Sequence, residues 1–530
     1  MKTKSKIVYL TLVISGFLAS CDDSYLDRPA LSVVSSSNFY KTTADLRKAT
    51  ASLYAGGIWG PWTAECYLPI GEVLGGNMVL GYNDGAVQLN TFSVNGFNTN
   101  LVTEWRTMYN LIAHANTTIH AIEELGADDI PEEDVNAALA EAKFMRAYAY
   151  FRLAMLWGEV PIIEDNRKLF NNPLVYKNEV SDVYKFIAND LTFARMNLPV
   201  AGGEWEAGRV TTWSAQGLLS KVYLTWAGLN QSGTRDQALL DSAKLYAGNV
   251  CESGLSLLPD YADVFKYENN DNQESLFALQ WPSNGGGWYN GNMLQLFSNA
   301  LLIDGNGGFF GIEVTYDMYL QYAENDLRRR ATFMYRDEEY PELNTNKGGL
   351  TFGANSGLKK HIIGNEKDLN LPLMTSTSSP EHTILLRLAD IYLVYVEAVL
   401  GNNGITSDGK ALGYFNQIRS RAGLDPASSI DETTLFKERR LELAAEGEHW
   451  FDLVRLSYYN PSKAIGLLNF NLNEGYRNRI EIDADTGEIT PGSSYGVITP
   501  ADINSFKFPV PSSEVTANPY LLEPAAPYSF

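Results

Sequence analysis

Apolar residues recur at helical spacing in segment after segment of this 530-residue chain, and that recurrence limits its fold more than any other feature. Leu139, Ala142, Ala149, Leu153 and Leu156 fall on three- and four-residue steps or their sums, after Pro131 and before Gly158 and Pro161. Ala215, Leu219, Val222 and Trp226 step by four, three and four behind a Thr211-Thr212 cap. A third segment runs from about Thr383 to Leu400 and a fourth from about Leu435 to Leu456. Shorter partners lie at 104–125, 180–197, 236–252 and 408–422. A helix pair that cannot bury its apolar face alone buries it on the next pair, so the pattern predicts a mostly α, tetratricopeptide-like scaffold. About four pairs are expected, at 40–55/104–125, 133–158/180–197, 209–229/236–252 and 383–422/433–457. Ala147, Phe151 and Ala154 have the small–aromatic–small spacing of such repeats.

Between the helical segments the grammar changes. Residues 56–100 are rich in Gly and Asn with scattered rings (Trp59, Trp62, Tyr67, Tyr82, Phe92, Phe97). Residues 256–375 are similar, with one strand expected at Ser275 to Trp281 and the run Asn284 to Asn292 beyond it. Residues 458–505 are loop-rich again. These read as long insertions forming an irregular lobe with few, short strands. Long loops on a rigid frame are where binding concentrates.

The N-terminus carries an export signal. Lys2, Lys4 and Lys6 precede an apolar run, Ile7 to Ala19, too short to span a bilayer, and Leu18-Ala19-Ser20 leads into Cys21. This is the pattern of a bacterial lipoprotein: residues 1–20 are removed and Cys21 carries lipid, so acyl chains hold the mature chain to its membrane. The 510 residues that remain suffice for two or three average domains. Without the signal lysines, 38 basic residues face 63 acidic ones. So acidic a surface repels phosphate backbones, which argues against nucleic acid as a partner. Cys66 and Cys251 could pair in an oxidising compartment but do not make a disulfide scaffold.

Five stretches, in order, resemble the SusD/RagB family of lipid-anchored nutrient-binding proteins from Bacteroidetes outer membranes. They are Cys21 to Asp27; Glu141 to Tyr148 with Trp157 to Pro161; Arg387 to Asp390 with Glu397-Ala398; Glu438 to Gly447 with Trp450 to Arg455; and Phe508 to Pro511 with Glu514 and Asn518-Pro519. His449 departs from the arginine usual in the family. The resemblance implies a SusD-like fold over 21–530, with helical repeats backing a lobe that bears the ligand site. It also implies a surface protein that captures a glycan, or sometimes a peptide, and passes it to a TonB-dependent, SusC-like transporter in the outer membrane. Asp22 and Asp23 fit surface export in this group.

Candidate chemistry narrows to binding. Glu438, Glu442 and Glu446 lie four apart on one helix face near Arg439, Arg440 and Arg455, which reads as structural ion pairing rather than acid–base catalysis. Gly492-Ser493-Ser494-Tyr495-Gly496 matches a nucleophile elbow, but Val497-Ile498-Thr499-Pro500 is no helix and no histidine follows His449. The five histidines lack zinc-site spacing. Asp483-x-Asp485-x-Gly487 resembles part of a calcium loop without its distal glutamate, so an acidic turn is expected and no cofactor is required. That leaves the ring-bearing insertions at about 56–100 and 256–375. Rings cover the C–H faces of sugars and amides or acids fix the hydroxyls. The expected contacts are Trp59, Trp62, Asn77, Tyr82 and Asp84 from the first insertion and Trp288, Tyr289 and Asn292 from the second. The rival readings are a surface glycan-degrading enzyme, which needs two carboxylates across a groove, and a scaffold or adhesion protein gripping a partner through its repeats.

Overall fold

The computed structural model describes residues 39–125, 129–202, 205–282, 288–298, 310–364 and 378–530. The expected export signal, Cys21, Asp22 and Asp23, and part of the 284–292 run lie outside the described residues.

The helices of seven or more residues, in chain order, are α1 (Thr43–Ala51), α2 (Gly56–Trp62), α3 (Asp84–Thr91), α4 (Thr99–Leu125), α5 (Glu132–Trp157), α6 (Val180–Asn197) and α7 (Thr212–Trp226). There follow α8 (Gln237–Cys251), α9 (Leu388–Leu400), α10 (Gly409–Arg421), α11 (Glu432–Glu442), α12 (His449–Tyr459) and α13 (Pro461–Leu468). From α4 to α10 each helix packs on its neighbours in sequence, the arrangement of a helical-repeat stack. The fold is mostly α, with the few short strands expected. Helix α1 rests mainly on α5 rather than pairing with α4. No helix among the described residues is long and apolar enough to cross a membrane.

Helix α5 has no polar face. Every residue from Ala137 to Trp157 except Lys143 is buried, because α4 and α6 cover both sides. Its charges are therefore paired: Arg146 Nε donates to Asp190 at 2.8 Å, Arg152 Nε to Glu104 at 2.9 Å, and Glu141 accepts from Arg209. An unpaired charge at such depth is strongly destabilising.

Three expected boundaries move. The Thr383–Leu400 segment begins as a strand: Thr383–Arg387 pairs antiparallel with Ser275–Leu279, and only Leu388 starts the helix. A fully buried apolar run gives no period to separate strand from helix. The Leu435–Leu456 segment is two helices, because Ala445 and Gly447 adopt left-handed backbone (φ 64° and 72°). The carbonyls freed by this break are taken by Lys360 Nζ at Ala444 and a His361 ring nitrogen at Ala445, each 2.8 Å away. The third change is the 56–100 insertion, which is largely helical. After α2 the chain runs through widened turns, Thr63–Tyr67 and Pro69–Val73, as Pro61 and Pro69 lack an N–H to donate.

The glutamate-rich helix is structural, as expected. Glu438 and Glu442 bind buried Arg328, Glu442 and Glu446 bind buried Arg387, and Arg439 holds Asp390 and Asp452. Cys66 and Cys251 do not pair; both are free and buried.

Candidate ligand-binding face

The expected contact residues split into two groups. Trp59, Trp62, Asn77 and Asn292 are fully buried, so no ligand arriving from solvent reaches them. The indole of Trp59 donates to the Leu53 carbonyl at 2.9 Å, and that of Trp62 to Glu104 at 2.6 Å, with the Arg152 guanidinium over its ring. Asn77 donates to Glu72 at 2.7 Å and accepts from Arg440 at 2.6 Å. Asn292 pins its loop by donating to the Glu381 carbonyl at 2.7 Å and accepting from Leu294 N at 2.8 Å. All four are corrections with one cause: a buried polar tip needs a fixed partner, and each has found one in the core.

Tyr82, Asp84, Trp288 and Tyr289 are exposed. Tyr82 leaves the two-residue strand Met78–Val79, which pairs with Glu313–Val314, and stands 55% exposed. Its ring meets Phe310 edge-on at 4.4 Å, and Phe310 rests on buried Phe297 at 5.0 Å. Asn83 caps α3, and the Asp84 carboxylate at its first turn accepts from Gln88 at 2.6 Å. Trp288 and Tyr289 are 47% and 39% exposed with ring centres 6.4 Å apart. The Tyr289 hydroxyl donates to Glu65 at 3.2 Å and lies within electrostatic reach of Tyr82. Burial pushes the Glu65 carboxyl up, and the Tyr289 hydrogen bond pulls against it.

Helix α2 sets the position of that loop. A Cβ on Gly60 would come within 1.9 Å of the Tyr289 carbonyl oxygen, so the loop lies directly on the helix backbone. Gly56 and Gly60 thus face the loop while the Trp59 and Trp62 indoles face the core.

A third segment completes the face. Tyr495 lays its ring against Gly81, next to Tyr82. Its hydroxyl donates to Glu313 at 2.6 Å, and the Arg479 guanidinium sits 5.3 Å above its ring while donating to Glu313 and Ser493. Burial and the Glu313 carboxylate push the Tyr495 phenol up to about 12, so it stays a neutral donor. Sequence reading missed Phe310, Glu313, Arg479 and Tyr495. Tyr495 was visible, a ring in a glycine-rich loop, but drew attention only as part of a serine motif.

Tyr82, Trp288, Tyr289 and Tyr495 therefore form exposed rings on one side of the lobe, with Glu65, Asp84 and Arg479 as polar neighbours. That is the equipment for stacking on a sugar and bonding its hydroxyls. Elsewhere the Asp483 carboxylate is engaged in its own turn, accepting from Asp485 N, Thr486 N and Thr486 Oγ1. Among the described residues no group of three or more His, Cys, Asp or Glu side chains is placed to share a metal ion.

Comparison with known proteins gives the class. The family model described as "SusD family" matches residues 259–525, and a second, described as "Starch-binding associating with outer membrane", matches 77–224. The chain belongs to the SusD family. A SusD-like protein of Bacteroides ovatus is 38% identical over 552 residues, spanning 100% of this chain and 99% of that protein. A crystal structure with a xylogluco-oligosaccharide is 38% identical, covers 92% of this chain and 99% of that one, and superposes with a TM-score of 0.83. Surface glycan-binding protein A of Bacteroides thetaiotaomicron, in complex with laminarihexaose, shares the fold (TM-score 0.68, 19% identity, 90% and 98% covered).

Proposed function

We propose that this protein is a non-catalytic surface receptor for an oligosaccharide. In this reading Cys21 carries the lipid that holds it on the outer membrane, and a TonB-dependent, SusC-like transporter receives the glycan. The observation that carries the reading is the exposed ring face of Tyr82, Trp288, Tyr289 and Tyr495. The 38%-identical structure obtained with a xylogluco-oligosaccharide makes a decorated β-glucan the first ligand class to test.

Capture needs no bond to break. Apolar C–H patches of the sugar lose water against the rings at roughly 25 cal/mol per Å². Glu65, Asp84 and Arg479 orient its hydroxyls. Affinity is modest because a flexible sugar gives up much freedom on binding.

Two measurements test this. Calorimetric titration with xylogluco-oligosaccharide should show Tyr82→Ala/Trp288→Ala binding at least tenfold more weakly, about 1.4 kcal/mol or more, with little change in melting temperature. Equal affinity would remove the ring face from the reading, and sugar hydrolysis during the titration would remove the non-catalytic role. Separately, Cys21→Ala should move the protein from the membrane fraction to the soluble one; retention would refute the lipid anchor.

A further inference from the structure

A second cavity lies apart from the ring face, where α11, α12 and α13 meet the segments 75–76 and 476–477. It encloses about 230 Å³. Leu453, Leu467, Phe470 and Tyr476 give it apolar walls. An apolar cavity of about 150 Å³ accepts a benzene ring, so this one has room for a single ring and a small polar group.

Its charges are unbalanced in the opposite sense to the whole chain. Lys437, Arg440, Lys463 and Arg477 line it against one carboxylate, Asp317. Asp317 bonds Arg440 at 2.7 Å, and Lys463 is paired with Glu432. Arg477 has no carboxylate. It is 4% exposed, and its Nε and Nη2 donate to the carbonyls of Asn90, Val73 and Leu74 at 2.8–3.1 Å. Its Nη1 lies beside Gly76 at the cavity wall, where a Cβ would come within 2.6 Å of it. Burial, with the Arg440 guanidinium adding to it, pulls Arg477 down to about 9, and Asp317, which is bonded to Arg440, only partly offsets this from a distance. His449, also buried, lines the same cavity with its Nδ1 unpartnered. A guanidinium locked by three carbonyls and bonded to no carboxylate is a preformed anion receptor.

The geometry points to a second ligand site, for a small organic carboxylate built on one aromatic ring or a comparable apolar body. The carboxylate meets Arg477 and the ring fills the space between Leu453, Leu467, Phe470 and Tyr476. The site does not depend on glycan capture, since none of its residues belongs to the ring face.

Calorimetric titration of the full mature chain with 3-phenylpropanoate, and with its neutral amide, tests it. The acid should bind saturably and the amide at least tenfold more weakly, since a charge-assisted hydrogen bond is at stake. Leu467 is half exposed at the cavity wall, so Leu467→Trp should fold with an unchanged melting temperature and abolish acid binding while xylogluco-oligosaccharide binding is retained. Absence of acid binding, equal binding of acid and amide, or unchanged binding to folded Leu467→Trp would each overturn the site.

Discussion

Two glycine-rich segments each bring a pair of large rings, and their fates are opposite. Trp59 and Trp62 on α2 are sealed in the core, while Trp288 and Tyr289 stand exposed above them. The segments are in contact, since Gly60 lies under the Tyr289 carbonyl. The difference lies in spacing and partners. Trp59 and Trp62 are three apart on a helix, so they share a face, and Leu53 and Glu104 accept their N–H groups. Trp288 and Tyr289 are adjacent and precede Asn292, whose two buried hydrogen bonds anchor the loop below its rings. The buried pair is the floor on which the exposed pair is displayed.

The contrast can be broken most forcefully from below. Trp62→Ala removes a fully buried indole and leaves Glu104 and Arg152 around a void, so it should lower stability by about 3–5 kcal/mol in denaturant unfolding. Glycan affinity per folded molecule should change far less; a selective loss of affinity with stability intact would place Trp62 in the site after all.

The core's ion network gives the next largest effect. The Glu442 carboxyl is held down to about 2 by Arg421, Arg387 and Arg328, against the opposing pull of burial. Its folded value lies below its unfolded one, so its contribution of about 3 kcal/mol is complete above pH ~4.5 and fades as pH falls toward 2. The stability gap between wild type and Glu442→Gln should narrow over that window. A gap independent of pH would mean that the carboxylate charge is not what matters there.

A smaller effect sharpens the link between the two segments. Gly60→Ala pushes a methyl against the Tyr289 carbonyl, so the ring loop must shift. Oligosaccharide affinity should fall severalfold with a drop in melting temperature of only a few degrees. An unaltered affinity would show that Tyr289 binds nothing.

Much of the scaffold was readable before any coordinates. The periodic segments at 132–157, 180–197, 212–226 and 237–251 are helices because their apolar steps were long and flanked by Pro, Gly or Thr caps. The ion-paired Glu438, Glu442 and Glu446 were readable too, since three acids and several arginines at helical spacing near apolar residues must neutralise one another, although Glu446 lies just past the end of α11. The candidate face was only half readable. Tyr82, Asp84, Trp288 and Tyr289 are exposed, but local composition could not tell them from the buried Trp59, Trp62, Asn77 and Asn292. Glycine suggested a loop in 56–62, whereas it marks a helix that another backbone approaches closely.

By itself, the sequence determined the helical stack, the order of its elements and the family, because helical period and local motifs act over a few residues at a time. Tertiary structure alone decided which rings meet water. Tyr495 joins Tyr82 from more than four hundred residues away, and the partners that draw Trp62 and Asn77 inward are Glu104 and Arg440. Exposure depends on what packs against a side chain, and those neighbours come from parts of the chain that no local pattern connects.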